Sequence, residues 1–173
     1  AGTCEVLEKK YLRLTSEPDP ATVRPERVLR RAVEMIVAKR ESWELLGDDG
    51  EASQAHYIYL WEQMKSIRQD LTVQRVRNEF TVEVYEMHAR ICLEFDDETE
   101  LKQCQAQLAA LYEEGIGTRE AQREFMAYDL LYNLGKQAVE NVNKLMLQLT
   151  REDAEDKFIA HALKVREAAT GGC

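Results

Sequence analysis

A hydrophobic stripe that changes face in mid-chain constrains this fold more than any other feature of the sequence. Tyr57, Leu60, Met64, Ile67 and Leu71 follow one another in steps of three and four, the spacing of one helix face. Val73, Val76, Phe80, Val84, Met87 and Ile91 do the same, but the step from Leu71 to Val73 is only two. At about 100° per residue, the two stripes would lie on roughly opposite sides of one straight helix. A helix packed on a core does not swap its buried face in mid-course. The pattern therefore predicts two helices, with a break or sharp kink at the "DLT" of 70–72 and Asp70 or Thr72 capping the second. That second helix carries a further stripe, Asn78, Val82, Tyr85, Ala89 and Cys92, so it is expected to bury two faces and stand at the centre of the fold.

Punctuation divides the rest. Pro18, Pro20 and Pro25 all fall in "SEPDPATVRP", and Gly47, Gly50, Gly115 and Gly117 mark two further breaks. A first helix is expected over 1–14, with Cys4, Leu7, Tyr11 and Leu14 on one face, followed by a proline-bearing loop over 15–24. Pro25 suits a first helical turn, opening a long helix to about Leu46. "GDDGEAS" reads as a loop, with Ser53 as the cap of the next helix. Later helices are expected at about Glu98 to Glu113, Glu120 to Leu134, Lys136 to Leu149 and Asp153 to Ala169, with Thr150 capping the last. No segment has strand periodicity. The expectation is a single all-α domain over 1–173, built of about seven to eight helices in antiparallel pairs, with a helical layer over 25–169 and a flexible tail at 170–173.

Composition excludes several classes. Hydrophobic residues make up 45% of the chain, too many for disorder, and the net charge of −9 opposes sequence-blind nucleic-acid binding by the chain as a whole. No apolar run approaches a membrane span, and the first residues do not resemble a signal peptide. Cys4, Cys92, Cys104 and Cys173 form no CxxC pair and read as reduced thiols. His88 and Cys92 stand one helical turn apart, a spacing that can hold a metal, but two ligands do not make a site and both read as core residues. The aspartate pairs at 48–49 and 96–97 read as turn and cap residues. With no phosphate loop and no nucleophile motif, neither catalytic residues nor a metal or other cofactor are expected.

The basic stretch Met64 to Arg77 needs its own account. Lys65, Arg68, Arg75 and Arg77 outnumber Asp70 and give a local excess of three positive charges. They can be phosphate contacts for RNA. They can equally belong, with Gln69, Asp70, Thr72 and Gln74, to a hydrogen-bond network across the joint between two helices, whose broken ends leave backbone groups to satisfy. The register break demands the second reading and only permits the first.

The stretches "YLRLTSEPDPATVRPERVLRRAV", "EQMKSIRQDLTVQRVRNEFTVEVYEMHARICLE", "ELKQCQAQLAALYEEG" and "EFMAYDLLYNL" resemble the Sac-three/GANP/Thp-three family, nearest the branch typified by leukocyte receptor cluster member eight. "LLYNLGKQAVENVNKLMLQLT" departs from that branch while keeping helical character. The resemblance implies a non-enzymatic nuclear scaffold, with the cytoplasm open as a second compartment. It implies a TPR-like α-solenoid layer followed in family members by a C-terminal winged helix that is missing here. It also implies a PCI-domain protein partner, a small acidic Dss-one-type subunit, and a place in mRNA processing, splicing-coupled maturation or export. The alternative is an RNA-binding helical module that uses the basic residues around 65–77. Neither a membrane nor a small-molecule substrate is implied.

Overall fold

The register break is real, and it lies three residues beyond its expected place. The computed structural model describes residues 1–47 and 50–171, and among them every regular element is helical. Helix α1 spans Glu26–Leu46, α2 Gly50–Val73, α3 Glu79–Glu94 and α4 Glu98–Glu113. Helix α2 therefore runs straight through "DLT". It closes with a hydrogen-bond pair in which Val76 N–H donates to the Leu71 carbonyl and Arg75 N–H to the Thr72 carbonyl, both 3.0 Å, around Arg75 at φ 55°. That is the Schellman pattern, which usually places glycine at the left-handed position. With arginine there, the stop is silent in the sequence. Asp70 and Thr72 cap nothing. Asn78 caps α3 instead, accepting from Thr81 N–H while the Thr81 hydroxyl accepts from the Asn78 N–H.

Leu60, Met64, Ile67 and Leu71 of α2 form one core with Leu29, Ala32 and Ile36 of α1 and Phe80, Val84 and Ile91 of α3. Trp43 of α1 stacks on His56 of α2, with ring centroids 3.9 Å apart. Ten of the sixteen residues of α3 are buried, on the two faces that the stripes require, against α2 and α4. Only three residues join α3 to α4, so the two run antiparallel. In this part of the chain each helix packs on the next in order, as in a solenoid layer.

Residues 1–14 are not helical. They form an irregular strap whose backbone is bound by distant groups: Thr3 N–H donates to the Pro20 carbonyl, Cys4 N–H to Val23, Gly2 N–H to the Gln74 side chain and Lys9 N–H to that of Gln63. A helix this short is marginal alone, and these bonds replace its own. Of the supposed stripe, Leu7 reaches the core, whereas Leu14 is exposed. Pro25 is the residue before α1 rather than within it, and Ser53 lies inside α2, not at its start. The Asp48–Asp49 pair and Cys173 lie outside the described residues.

The chain divides into two compact units, Ala1–Ile116 and Gly117–Cys173. The second contains α5 Arg119–Gly135, α6 Val139–Gln148, α7 Arg151–Glu155 and α8 Lys157–Thr170, around Ala127, Leu130, Val142, Ile159 and Ala162. The helix expected from Asp153 to Ala169 is split. Thr150 caps the short α7, and Asp156, extended at ψ 140°, caps α8 through Phe158 and Ile159 N–H. Two residues beyond the end of α5, Gln137 at φ 55° takes the left-handed position that glycine usually holds.

Replacing Asn78 with Ala removes the α3 cap and its bond to Glu26. The cost is expected to be about 1 kcal/mol, measured as a lower urea midpoint by circular dichroism. An unchanged midpoint would contradict the role assigned to this residue.

Candidate functional site

Along α2, three sets of side chains at helical spacing face three directions. The apolar set is described above. The second, Gln63, Ser66, Asp70 and Gln74, faces the N-terminal strap. Asp70 is 1% exposed and binds two cations: Arg24 Nε donates to Oδ2 at 2.7 Å and Lys9 Nζ to Oδ1 at 2.8 Å. Arg24 is wholly buried, and its remaining donors reach the Leu7 carbonyl and the Ser66 hydroxyl, each at 2.8 Å. Lys9 Nζ also donates to the Thr22 carbonyl at 2.5 Å. Gln74 donates to the Arg24 and Asp70 carbonyls and accepts from Gly2 N–H. Gln69 donates to the Leu12 carbonyl at 2.8 Å. A side chain at Gly2 would meet the Val23 carbonyl oxygen at 2.0 Å, so glycine lets the strap close here.

The third set, Trp61, Lys65, Arg68 and Thr72, faces α3 and α4. Arg68 Nη1 donates to Glu100 Oε1 at 2.6 Å and lies 3.0 Å from His88 Nδ1. Because guanidinium only donates, Nδ1 accepts and the ring proton sits on Nε2. Glu100 also accepts from Trp61 Nε1 at 3.2 Å, with Lys65 Nζ at 3.8 Å. Burial pushes the Glu100 carboxyl up, but the bond from Arg68 and the charges of Arg68 and Lys65 outweigh it and hold the pKa below the ordinary glutamate value. Cys92 and Cys104 meet as free thiols. The Cys92 hydrogen bond, with His88 and Arg68 nearby, favours the Cys104 thiolate against the effect of burial. Among the described residues no three His, Cys, Asp or Glu side chains converge as metal ligands. Asp97 caps α4 through Glu100 N–H and accepts from the Tyr57 hydroxyl.

Of the junction residues read from the sequence, Gln69, Asp70 and Gln74 hold the strap, Arg68 joins α2 to α3 and α4, and Thr72 donates to the Arg68 carbonyl of its own helix. Sequence reasoning missed Lys9, Arg24, Ser66, His88 and Glu100 as their partners. A signal was present for part of this: Gln63, Ser66, Asp70 and Gln74 repeat at core spacing. The four basic residues fall two and two on separate cavities. Lys65 and Arg68 line a cavity of about 340 Å³, and Arg75 and Arg77 line an adjoining one of about 200 Å³ that shares Thr72 and Tyr85 with it. Arg77 is held by Glu114 at 2.5 Å, Arg68 and Lys65 by Glu100. Among the described residues Arg75 makes no ion pair or hydrogen bond through its side chain.

In the second unit, Asp153 is buried beneath Arg119 and Arg123, at 2.5 and 2.8 Å. Burial pushes its carboxyl up, but these guanidinium groups and the Thr150 N–H together hold its pKa far below the usual carboxylate range.

The SAC3/GANP family model matches residues 5–172. SAC3 family protein A of Arabidopsis thaliana is 46% identical over 172 residues, which is 99% of this chain and 16% of that protein. A THP3 homolog of Schizosaccharomyces pombe is 45% identical over 171 residues, 99% of this chain and 40% of that protein. A leukocyte receptor cluster member 8 homolog of Xenopus laevis is 45% identical over 167 residues, 96% of this chain and 19% of that protein. The chain thus spans less than half the length of each.

Asp70→Ala leaves the buried Arg24 guanidinium without its counter-ion and is expected to cost about 3–5 kcal/mol, whereas Arg24→Met with Asp70→Leu recovers a large part of that loss. Equal urea midpoints for the single and double variants would refute the assignment. Glu100, with its folded pKa depressed, contributes stability above its unfolded pKa that is lost as pH falls through the folded one. The thermal midpoint of the wild type should therefore fall between pH 5 and pH 3, and that of Glu100→Gln should fall less steeply. Parallel curves would contradict the Arg68–Glu100 linkage.

Proposed function

The chain belongs to the SAC3/GANP family, and on that premise we propose that it is a helical scaffold segment of a nuclear PCI-type complex acting in mRNA processing or export. Family membership over residues 5–172 suggests the mRNA role. One observation supports the scaffold reading above others. The polar residues of the "SIRQDLTVQ" stretch end on protein partners: Asp70 on Arg24 and Lys9, Arg68 on Glu100, Gln74 on Gly2 and Arg24. Side chains used in this way hold one helix against two neighbouring layers. They do not leave the convergent, unpaired groups that acid–base or nucleophilic chemistry needs. On this reading the segment is non-enzymatic and presents a rigid helical surface. A PCI-domain protein is its principal partner, with a small acidic subunit of the Dss-one type joining the assembly. Among the described residues no helix is long and apolar enough to cross a membrane.

Affinity purification of the tagged gene product from nuclei, followed by mass spectrometry, tests this. A PCI-domain protein together with splicing or export factors is the expected recovery. Finding neither overturns the proposal.

A further inference from the structure

The two adjoining cavities beside α2 form one groove that the two side-chain networks do not fill. Thr72, which is exposed, and the buried Tyr85 line both cavities. The far wall of the groove is α4, which presents Gln103 to the first cavity and Gln107 to the second. Both glutamines are exposed, and among the described residues neither side chain has a hydrogen-bond partner. Each amide offers a donor and an acceptor. They stand one turn apart, about 6 Å along the helix axis. An extended peptide repeats every second residue at about 6.5 Å, with a main-chain donor and acceptor at each. Arg75, exposed and unpaired, lines the second cavity and supplies a positive charge.

The same geometry disfavours nucleic acid. Single strands bind by stacking bases on open aromatic faces and by rows of free cations. Here the Arg68 guanidinium lies over the buried Tyr85 ring at 5.0 Å, and the Lys65 ammonium over Tyr11 at 4.7 Å. Three of the four cations are already paired with Glu100 or Glu114.

We propose that this groove binds an extended peptide segment of a partner protein, its main chain hydrogen-bonded to the Gln103 and Gln107 amides and an acidic side chain of it paired with Arg75. The site gives the scaffold reading a specific contact, and in that sense rests on it. Binding is measured on the purified chain alone, so its failure and the failure of the nuclear purification are separate results.

The chain is panned against a displayed library of short random peptides, and enriched sequences are measured by fluorescence polarisation. The enriched peptides are expected to share at least one Asp or Glu. Gln103→Ala with Gln107→Ala, and separately Arg75→Gln, should each weaken binding about tenfold or more, while Lys157→Gln, an exposed cation elsewhere, leaves it unchanged. The groove positions are exposed, so the variants should keep the wild-type thermal midpoint, which is measured alongside. Absence of enrichment overturns the proposal, as does enrichment of peptides whose binding none of the groove variants alters. A labelled oligouridylate is titrated in parallel over a salt series. If it alone binds, with a salt slope that Arg75→Gln reduces, the occupant is RNA and the peptide assignment is wrong.

Discussion

The carboxylate of Asp70, buried between Arg24 and Lys9, is the constraint on which the first unit depends. Arg24 is wholly buried and cannot lose its charge, so its position is fixed by whatever satisfies its five donors. Asp70, the Leu7 carbonyl and Ser66 accept one bond from each of its three nitrogens only when the strap lies along α2 in one register. Such a buried pair adds little net stability compared with apolar packing, but a mismatched register strands a charge at a cost of several kcal/mol. In this unit the pair acts chiefly as a device of specificity. It converts an irregular segment, which has no helix or sheet of its own, into a defined surface.

Arg68 does the corresponding work on the other side of the same helix. Two residues from Asp70, it points about 200° away, toward the Glu100 carboxylate and the His88 ring. Helix α2 thus carries an apolar face flanked by two polar ones, each tied to a different neighbour. This is how one helix can be held rigidly between a strap and a helical hairpin, and it explains why so polar a stretch is so thoroughly buried. The scaffold role proposed above would draw on this rigidity, because a partner would recognise a surface and not a reacting atom.

Helix existence was legible where stripes are long: α2, α3 and α4 follow the steps of three and four, and the two-sided burial of α3 was visible in its double stripe. Helix ends were legible only where the chemistry is ordinary. Gly115 marks a left-handed stop in the usual way, whereas Arg75, Asp96 and Gln137 adopt the same conformation without announcing it. The strap mimics a helix in its local spacing, while the Gly2 and Lys9 backbone donors are taken by Gln74 and Gln63, far along the chain. Glu100 and His88 could not be assigned to Arg68 from spacing, since each belongs to its own helix and reaches that guanidinium only once the helices pack.

The sequence by itself determined the all-helical class, the change of buried face near residue 72, and the family, because periodicity and a long shared stretch of text are properties of the chain alone. Tertiary structure decided what the polar residues of that stretch do. Asp70 became a buried anchor and not a cap, three of four cations were paired with carboxylates, and among the described residues the side chains of Gln103, Gln107 and Arg75 were left without a partner. The physical reason is that charge pairing and desolvation depend on distances between residues tens of positions apart, such as the 46 separating Arg24 from Asp70, and no local pattern encodes them.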